Sequence, residues 1–398
     1  LQGRALAGSG TITHRDGTYD LRRVRLANAG SYVSLDGRYG PRTDLAWDAN
    51  IRSLAVVSRD LDGGLVSKGR LVGPRASPRV TGDAAFHDLR YGEVSAGSGR
   101  LDLDLDLADA VDSRVELVVN GLEAAGLHVA VAAIDARGRL REHLVDLRFT
   151  VPGDEARRLT GFKGAIDAAG SLDLATHRWQ GTLSDVSLTF PDGSSKLIQP
   201  VALEAGPDAV KLAHLCLTTG DARLCAEGEW HREPESWRVL YSAQDWPLRR
   251  VLTSLFGRRE FDGKLQASGW AERKAGEDWV GATTVLLDDP TVDIRRNQFR
   301  TERFELGRGQ LTVLADATAV RLSTELRVGA GTSVQGQATV RRAPGLELAD
   351  QPLDGELRVG STELSGLALI VPEIDRSAGH LQGSLRLGGS SKLLMRLF

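Results

Sequence analysis

The chain has 398 residues, of which 41% are hydrophobic and 26% are charged, with a net charge of −3. This balance excludes an intrinsically disordered chain and argues against a nucleic-acid binder held by a basic surface. Two cysteines are too few for a disulfide-dense scaffold or a zinc site with four thiolates. No stretch approaches the roughly 20 apolar residues of a transmembrane helix. Because the chain starts at Leu1 with no signal peptide, we expect a fragment whose anchor lies outside it.

Turn signals recur along the whole chain. There are 45 glycines, and Asp-Gly pairs occur at 16–17, 36–37, 62–63, 192–193 and 354–355. Glycine accepts the positive φ angles of hairpin turns, so we interpret the glycine excess as a count of turns. At about 12 residues per strand and turn, the length corresponds to about 33 strands. We predict one elongated β-repeat region over 1–398, with possible sub-segments 1–150, 151–260 and 261–398.

Apolar and polar side chains alternate along most of the predicted strands. Leu101, Leu103 and Leu105, for example, are separated by Asp102 and Asp104. This period of two predicts an antiparallel sheet with one apolar face, and a sheet of this size must curl, split or form a solenoid. The positions expected to line the apolar face, and hence a hydrophobic groove, are Leu101, Leu103, Leu105, Leu107, Val115, Leu117, Leu127, Val129, Val131, Leu215, Leu217, Leu224, Val320, Leu322, Leu326, Leu357, Val359, Leu385 and Leu387.

The two cysteines belong to a predicted hairpin over residues 214–227. With Gly220-Asp221 at the tip, counting outward pairs Cys216 with Cys225. The pair falls at a position without cross-strand hydrogen bonds, where Cα atoms are about 4.5 Å apart, a distance that a disulfide tolerates. We therefore predict a disulfide and an oxidising compartment. The same count places the cysteines on the face opposite the leucines of the hairpin.

One segment has a helical period. Asp245 can cap a helix, Pro247 suits its first turn and Gly257 its end, which predicts an amphipathic helix over residues 246–256. Its apolar stripe is predicted to consist of Leu248, Val251, Leu252, Leu255 and Phe256. A second short helical turn is expected to begin at Pro372 and to end before Gly379.

Signals for catalysis, metals and cofactors are weak, and we predict no enzyme, metal site or cofactor. The eight histidines are scattered, and His214 with Cys216 and Cys225 makes an incomplete ligand set. The aspartates at 102, 104 and 106 have the approximate spacing of inverting glycosidase carboxylates. Because each alternates with leucine, we interpret the three as a solvated outer face instead.

Several motifs resemble those of the TamB family, the inner-membrane component of the translocation and assembly module. Residues 71–82 (LVGPRASPRVTG) followed by 88–92 (DLRYG) resemble its repeats, as do 178–183, 199–203 and the hairpin 215–230 with Trp246-Pro-Leu248 after it. Residues 371–383 and 385–389 resemble the stretch before its C-terminal domain. The resemblance spans most of residues 65–390 and indicates an internal, middle-to-late portion of such a protein.

The resemblance implies a fold and a function. Such proteins are similar to AsmA-like bridge proteins, in which a long antiparallel sheet curls into a U-shaped groove (a β-taco or open β-solenoid). It implies periplasmic passage of phospholipid from the inner to the outer membrane, an inner-membrane anchor in the full-length protein, an outer-membrane barrel of the TamA type as partner, and a link to outer-membrane protein assembly. Nucleic acid is not an expected partner.

Two other functions stay open at this point. A scaffold could bind unfolded outer-membrane strands by adding them to a sheet edge. A β-solenoid enzyme could act on polysaccharide, and it would depend on carboxylates such as Asp104. A passive phospholipid conduit agrees best with the alternation, because an apolar face with little helix to cover it needs an apolar partner.

Overall fold

A computed structural model describes residues 6–28, 30–56, 58, 60–124, 127–153, 161–191, 193–249, 261–297, 300–328, 331–346, 350–362 and 379–391. These residues form 24 strands, all in antiparallel sheet structure, a 3₁₀ turn at Leu54–Val56 and a few further helical residues such as Leu248 and Arg249. The predicted all-β antiparallel class is confirmed. Within the described residues, no helix is long and apolar enough to cross a membrane.

The first compact unit comprises residues 1–154 and 160–196. Each of its strands pairs with the next one in sequence, which makes a meander. The strands are β1 (Ala7–Arg15), β2 (Thr18–Asn28), β3 (Ser31–Tyr39), β4 (Arg42–Ile51), β5 (Leu61–Pro74), β6 (Arg79–Tyr91), β7 (Val94–Asp106), β8 (Ser113–Ala124), β9 (Leu127–Arg139), β10 (Glu142–Val151), β11 (Phe162–Asp173), β12 (Arg178–Phe190) and β13 (Gly193–Leu197), which ends at the unit boundary.

The second compact unit comprises residues 155–159 and 197–398 and is also a meander. Its strands are β14 (Val201–Ala205), β15 (Ala209–Thr219), β16 (Ala222–His231), β17 (Ser236–Pro247), β18 (Phe261–Arg273), β19 (Val280–Asn297), β20 (Arg300–Ala315), β21 (Ala319–Val328), β22 (Thr332–Arg341), β23 (Pro352–Ser361) and β24 (Leu381–Ser390). The prediction of one elongated region stays a prediction.

The strands are longer than expected because several predicted turns lie inside them. Asp16-Gly17 does form the turn between β1 and β2, with positive φ at both residues. By contrast, the Asp-Gly pairs at 36–37, 62–63 and 354–355 lie within β3, β5 and β23. At Gly63, φ is 105°, and the register shifts by one residue because Asp88 and Leu89 of β6 oppose this single glycine, which makes a bulge in β6.

The predicted amphipathic helix does not begin where the sequence indicated. Strand β17 continues through Pro247, and Trp246 lies opposite Leu265 of β18. Only Leu248 and Arg249 are helical within the described part of this segment. Leu248 is buried against Ala243 and Leu265, so pairing with β18 and packing on it extend the strand. The predicted helical positions Val251, Leu252, Leu255 and Phe256, and the turn after Pro372, lie outside the described residues.

Candidate functional site

The apolar face of the first unit follows directly from its strand register. Leu101 lies opposite Leu117, and Leu103 lies opposite Val115. Because alternate residues of a strand share a face, Leu105 lies on this face too. The central row across β6 to β12 consists of Ala84, Leu101, Leu117, Ile134, Leu147, Ile166 and Val186. Seven neighbouring strands therefore present apolar side chains on one face without a polar interruption.

Four expected lining positions are placed differently. Val131 lies opposite Asn120 and shares its face with Asp135, so it belongs to the polar face, where it is 40% exposed. Leu107 follows the end of β7 and lies in a turn, with its N–H bonded to the Pro78 carbonyl. These two assignments are corrected, because a run of alternating apolar residues does not fix where a strand ends or which face its extension occupies.

Leu127 and Val129 lie at the start of β9. They are paired with Ala124 and Leu122, in the same register as Val131. Because alternate residues of a strand share a face, Leu127 and Val129 lie with Val131 and Asp135 on the polar face, and their assignment to the groove lining is corrected as well.

In the second unit, a row of directly opposed residues runs across ten strands, from β15 to β24. Its members are Leu217, Leu224, Ala243, Ala267, Val285, Leu311, Thr324, Gly336, Leu357 and Leu385. The register places six further expected positions on the same face, namely Leu215, Val320, Leu322, Leu326, Val359 and Leu387. Small apolar residues such as Ala243 and Ala267 continue the apolar face on the described strands of residues 230–300, where the apolar–polar alternation of the sequence is weak.

Most of these side chains are only half-buried. Leu101, Leu103, Leu117 and Leu357 have intermediate exposure, and Leu385 at the last strand is 57% exposed. A closed core would bury such residues almost completely, whereas an extended apolar face that is left half-exposed is typical of a binding surface.

Aromatic rings on the apolar face lie flat over glycines, most of them on neighbouring strands. A Cβ built on Gly99 would lie 2.1 Å from Cζ of Phe86, and one on Gly164 would lie 2.1 Å from Cζ of Phe149. The full set is Trp47 over Gly69 and Gly82, Phe86 over Gly99, Phe149 over Gly164, Trp179 over Gly170 and Gly181, and Tyr241 over Gly269. We call these seven residues the seat glycines.

Sequence reasoning missed the seat glycines because it assigned glycine to turns. They lie inside strands, each under an aromatic ring from the same strand or from a strand one or two positions away in the sheet. The available signal was an isolated glycine within an alternating run, which indicates close approach of another group. The glycine excess is therefore only partly a count of turns.

The tryptophans of the first unit make polar contacts on its apolar face. The indole N–H of Trp47 donates to Oγ of Ser67 at 3.0 Å, and that of Trp179 donates to Nε2 of His143 at 2.8 Å. Nδ1 of His143 lies 3.1 Å from the Arg139 carbonyl oxygen. Donation from Trp179 requires an unprotonated Nε2, so Nδ1 is the nitrogen that carries the proton. His143 thereby satisfies the indole N–H of a flat ring.

The polar face of the first unit carries a row of carboxylates that crosses the strands. Nine directly opposed residues on β4 to β12 form the carboxylate row, and eight of them are acidic: Asp48, Lys68, Asp83, Asp102, Glu116, Asp135, Asp146, Asp167 and Asp185. Like charges directly opposite one another are destabilising. The sequence showed the aspartates along β7 but not this row, because register decides which strands bring carboxylates together.

Arginines beside the row offset part of this repulsion. Arg137 donates two hydrogen bonds to Asp135 (2.6 and 2.9 Å), and Arg148 donates two to Asp146 (2.8 and 2.6 Å). The bond from Arg137 is the main reason that the pKa of Asp135 lies below its ordinary value. Arg114 also forms an ion pair with Glu116.

Asp104 and Asp106 differ from the expected solvated face. Both oxygens of Asp104 accept hydrogen bonds from Arg79 at 2.7 Å, which lowers the pKa of Asp104. Asp106 is buried, a correction to the sequence interpretation. It accepts bonds from the N–H groups of Val111 (3.0 Å), Ala110 and Ala108, and these lower its pKa even though burial opposes the shift. Asp106 thus organises the loop after β7 and does not titrate as an active-site acid.

Cys216 and Cys225 are opposite one another and form a disulfide with Cα atoms 4.1 Å apart. The register is the one counted from Gly220-Asp221, and the bridge lies on the polar face. Cys225 contributes to a shallow cavity of about 480 Å³ with Ser242, Trp270 and other residues. His214 lies close by and pairs with Glu227 at 3.3 Å. Because both sulfur atoms are bonded to each other, they do not offer thiolates to a metal beside His214.

Comparison with known proteins identifies the family. No solved structure matches the chain. A family model described as the TamB N-terminal domain matches residues 1–393. The match includes residues before 65, where the motifs are weakest, and it belongs to the family's N-terminal domain instead of the middle-to-late portion that the motifs suggested. The TamB family is a transport and assembly module, whose full-length members are periplasmic, anchored in the inner membrane and associated with TamA. This chain belongs to the TamB family.

Proposed function

We propose that the chain is a passive conduit that carries phospholipid acyl chains along its apolar face, across the periplasm from the inner to the outer membrane. The observation that supports this most strongly is the face of each unit on which mostly apolar residues continue strand after strand, most of them half-exposed. In the full-length protein, the inner-membrane anchor and an outer-membrane barrel of the TamA type would complete the path.

Elementary energetics favours sliding over tight binding. An acyl chain gains about 0.8 kcal/mol for each CH₂ that leaves water. Strands repeat about every 4.8 Å, and each presents similar Leu, Val, Ile or Ala side chains, so the gain is similar at each step. A lipid therefore meets no deep trap along a row such as Leu101, Leu117 and Ile134. The headgroup stays in water, and no catalytic residue is required.

The first experiment identifies what the chain carries. We expect phospholipid to co-purify with the chain and to be detected by mass spectrometry of an organic extract. We also expect the chain to accelerate transfer of a fluorescent phospholipid between vesicles. If a folded chain with an intact disulfide neither carries phospholipid nor accelerates its transfer, the conduit proposal is wrong.

A charge on the apolar face tests the route. Leu103→Arg places a guanidinium between Gly82 and Val115, where a passing acyl chain would have to desolvate it, and we expect strongly reduced transfer. Asp102→Arg is the matched control, because it puts the same side chain one residue away on the polar face. Equal transfer by both variants at the wild-type rate would contradict the route.

Leu103→Arg and a further variant, Asp104→Asn, separate the conduit from the scaffold and from the enzyme. A scaffold that adds polypeptide strands to a sheet edge should keep binding unfolded outer-membrane strands in the Leu103→Arg variant, since edge pairing uses backbone groups. A polysaccharide-acting enzyme should lose activity in Asp104→Asn. Asp104 is a poor candidate for such chemistry, because Arg79 engages both of its oxygens.

A further inference from the structure

The five flat rings share one geometry, in which the ring lies across the sheet, and contacts within the ring's own strand do not account for it. Side chains on a sheet ordinarily stand roughly perpendicular to it. Here five aromatic rings instead extend sideways across the neighbouring strand, in each case where that strand has a glycine. The rings occupy the apolar face, which is also the face of the proposed conduit.

Hydrogen bonds give independent evidence for the sideways direction. Tyr241 of β17 lies opposite Gly269 of β18, which lies opposite Thr283 of β19. The Tyr241 hydroxyl is hydrogen-bonded to the Thr283 hydroxyl, so the ring spans the whole width of β18 above Gly269. Trp179 is likewise tied to His143, two strands away on β10. Both rings are held down at their far ends.

We infer that the seat glycines are positioning residues: they let the aromatic rings lie flat and so determine how far these rings project above the apolar face. This inference rests on the proposed function. With glycine beneath it, a ring lies flat and adds little more height than a leucine. With a Cβ beneath it, the ring has to rise and then projects into the path that an acyl chain would follow. The seat glycines thereby let the face contain large apolar rings without forming a constriction.

Gly99 and Gly164 provide the clearest test. The three atoms nearest to a Cβ at Gly99 are ring atoms of Phe86, at 2.1 to 2.9 Å, and the three nearest to a Cβ at Gly164 are ring atoms of Phe149, at 2.1 to 2.7 Å. At Gly69 and Gly269 a Cβ would also approach backbone oxygens, at 2.4 and 2.7 Å. Alanine at Gly99 or Gly164 is therefore accommodated by a ring movement and leaves the backbone in place.

The experiment compares phospholipid transfer between vesicles by wild type, Gly99→Ala and Gly164→Ala. We expect each substitution to slow transfer about tenfold, which corresponds to roughly 1.4 kcal/mol of added barrier. Gly383→Ala is the matched control and should transfer at the wild-type rate. It lies on the apolar face of the second unit, opposite Val359, and a Cβ there would meet nothing within 4 Å.

Removing the ring should rescue the alanine variants. Phe86→Leu combined with Gly99→Ala, and Phe149→Leu combined with Gly164→Ala, should restore transfer to near the wild-type rate. If the double variants stay as slow as the single ones, or if the single variants transfer normally, the inference is overturned. The two sites are independent, so if one single variant does not fold, the other still provides the test. If no single variant folds, the glycines have a structural role only, and the inference is overturned.

A readout without lipid separates this inference from the proposed function. The Hα protons of Gly99 lie under the Phe86 ring and should show upfield ring-current shifts in the NMR spectrum of isotope-labelled chain. Phe86→Leu should abolish them. Normal Hα shifts in wild type would refute the flat ring itself, whereas upfield shifts in a chain that transfers no lipid would refute the conduit and leave the ring geometry intact.

Discussion

The polar faces of the two units differ in what acts between neighbouring strands. In the first unit, eight carboxylates in one row repel one another, and exposed arginines such as Arg137 and Arg148, which pair with acids of their own strands, offset part of this repulsion. In the second unit, strands β15 and β16 are joined covalently by the Cys216–Cys225 disulfide. Both devices act on the face opposite the apolar rows.

The two polar faces should respond differently to pH, salt and reducing agents. Exposed ion pairs contribute little individually and are screened by salt, so the polar face of the first unit should depend on pH and ionic strength. A disulfide depends on neither, but it can be lost by reduction. Because most side chains of the apolar rows are half-exposed, they bury little area that could fix the strands, and the disulfide adds a cross-strand attachment without covering the apolar face.

The largest expected effect is loss of the disulfide. Cys216→Ser with Cys225→Ser opens a loop that spans nine positions of sequence separation. A loop of this size corresponds to about 2 to 3 kcal/mol of local stability. Hydrogen exchange followed by mass spectrometry should show faster exchange over β15 and β16 and unchanged exchange over β7 and β8. Equal acceleration in both hairpins would mean that the bridge stabilises the whole chain and would remove the contrast between the units.

An intermediate effect is expected at Asp106. Asp106→Asn weakens three charge-assisted bonds to the loop after β7, at a cost of about 1 to 2 kcal/mol near neutral pH. The folded-state pKa of Asp106 is lowered, so its contribution is present above about pH 4 and is lost as the pH falls through the folded-state pKa. The difference in hydrogen exchange between wild type and variant should therefore shrink on acidification. A constant difference down to low pH would show that the charge is not what stabilises the loop.

The smallest effect is expected in the carboxylate row. Asp102 lies between Asp83 and Glu116, so Asp102→Asn removes a like-charge contact and should stabilise the first unit by less than about 1 kcal/mol. Urea unfolding should show the gain at low ionic strength and its loss at about 1 M salt, where screening is nearly complete.

Asp354→Asn is the control for the carboxylate row. Asp354 is also on a polar face, but it lies opposite Thr339 and Gly388. Its replacement should change stability little at either ionic strength. If Asp102→Asn instead destabilises the first unit at low salt, the arginines more than compensate for the repulsion between the carboxylates of the row.

Local pattern predicted much of the fold and part of the site. The alternation at Leu101, Leu103 and Leu105 gave the correct face, and counting from Gly220-Asp221 gave the correct cysteine register. Prediction failed where local pattern and tertiary pairing disagree. Trp246 and Pro247 look like a helix start, yet pairing with β18 keeps them in a strand.

The sequence by itself determined the strand class, the two-sided character of the sheet and the cysteine pair, because each depends on side chains one or two residues apart or on one tight turn. Only the tertiary structure decided which residues lie opposite one another on separate strands. The carboxylate row, the seat glycines and the placement of Val131 on the polar face all depend on that register. Register is set by bulges and pairing along entire strands, so a one-residue shift at positions such as Gly63 changes which side chains meet.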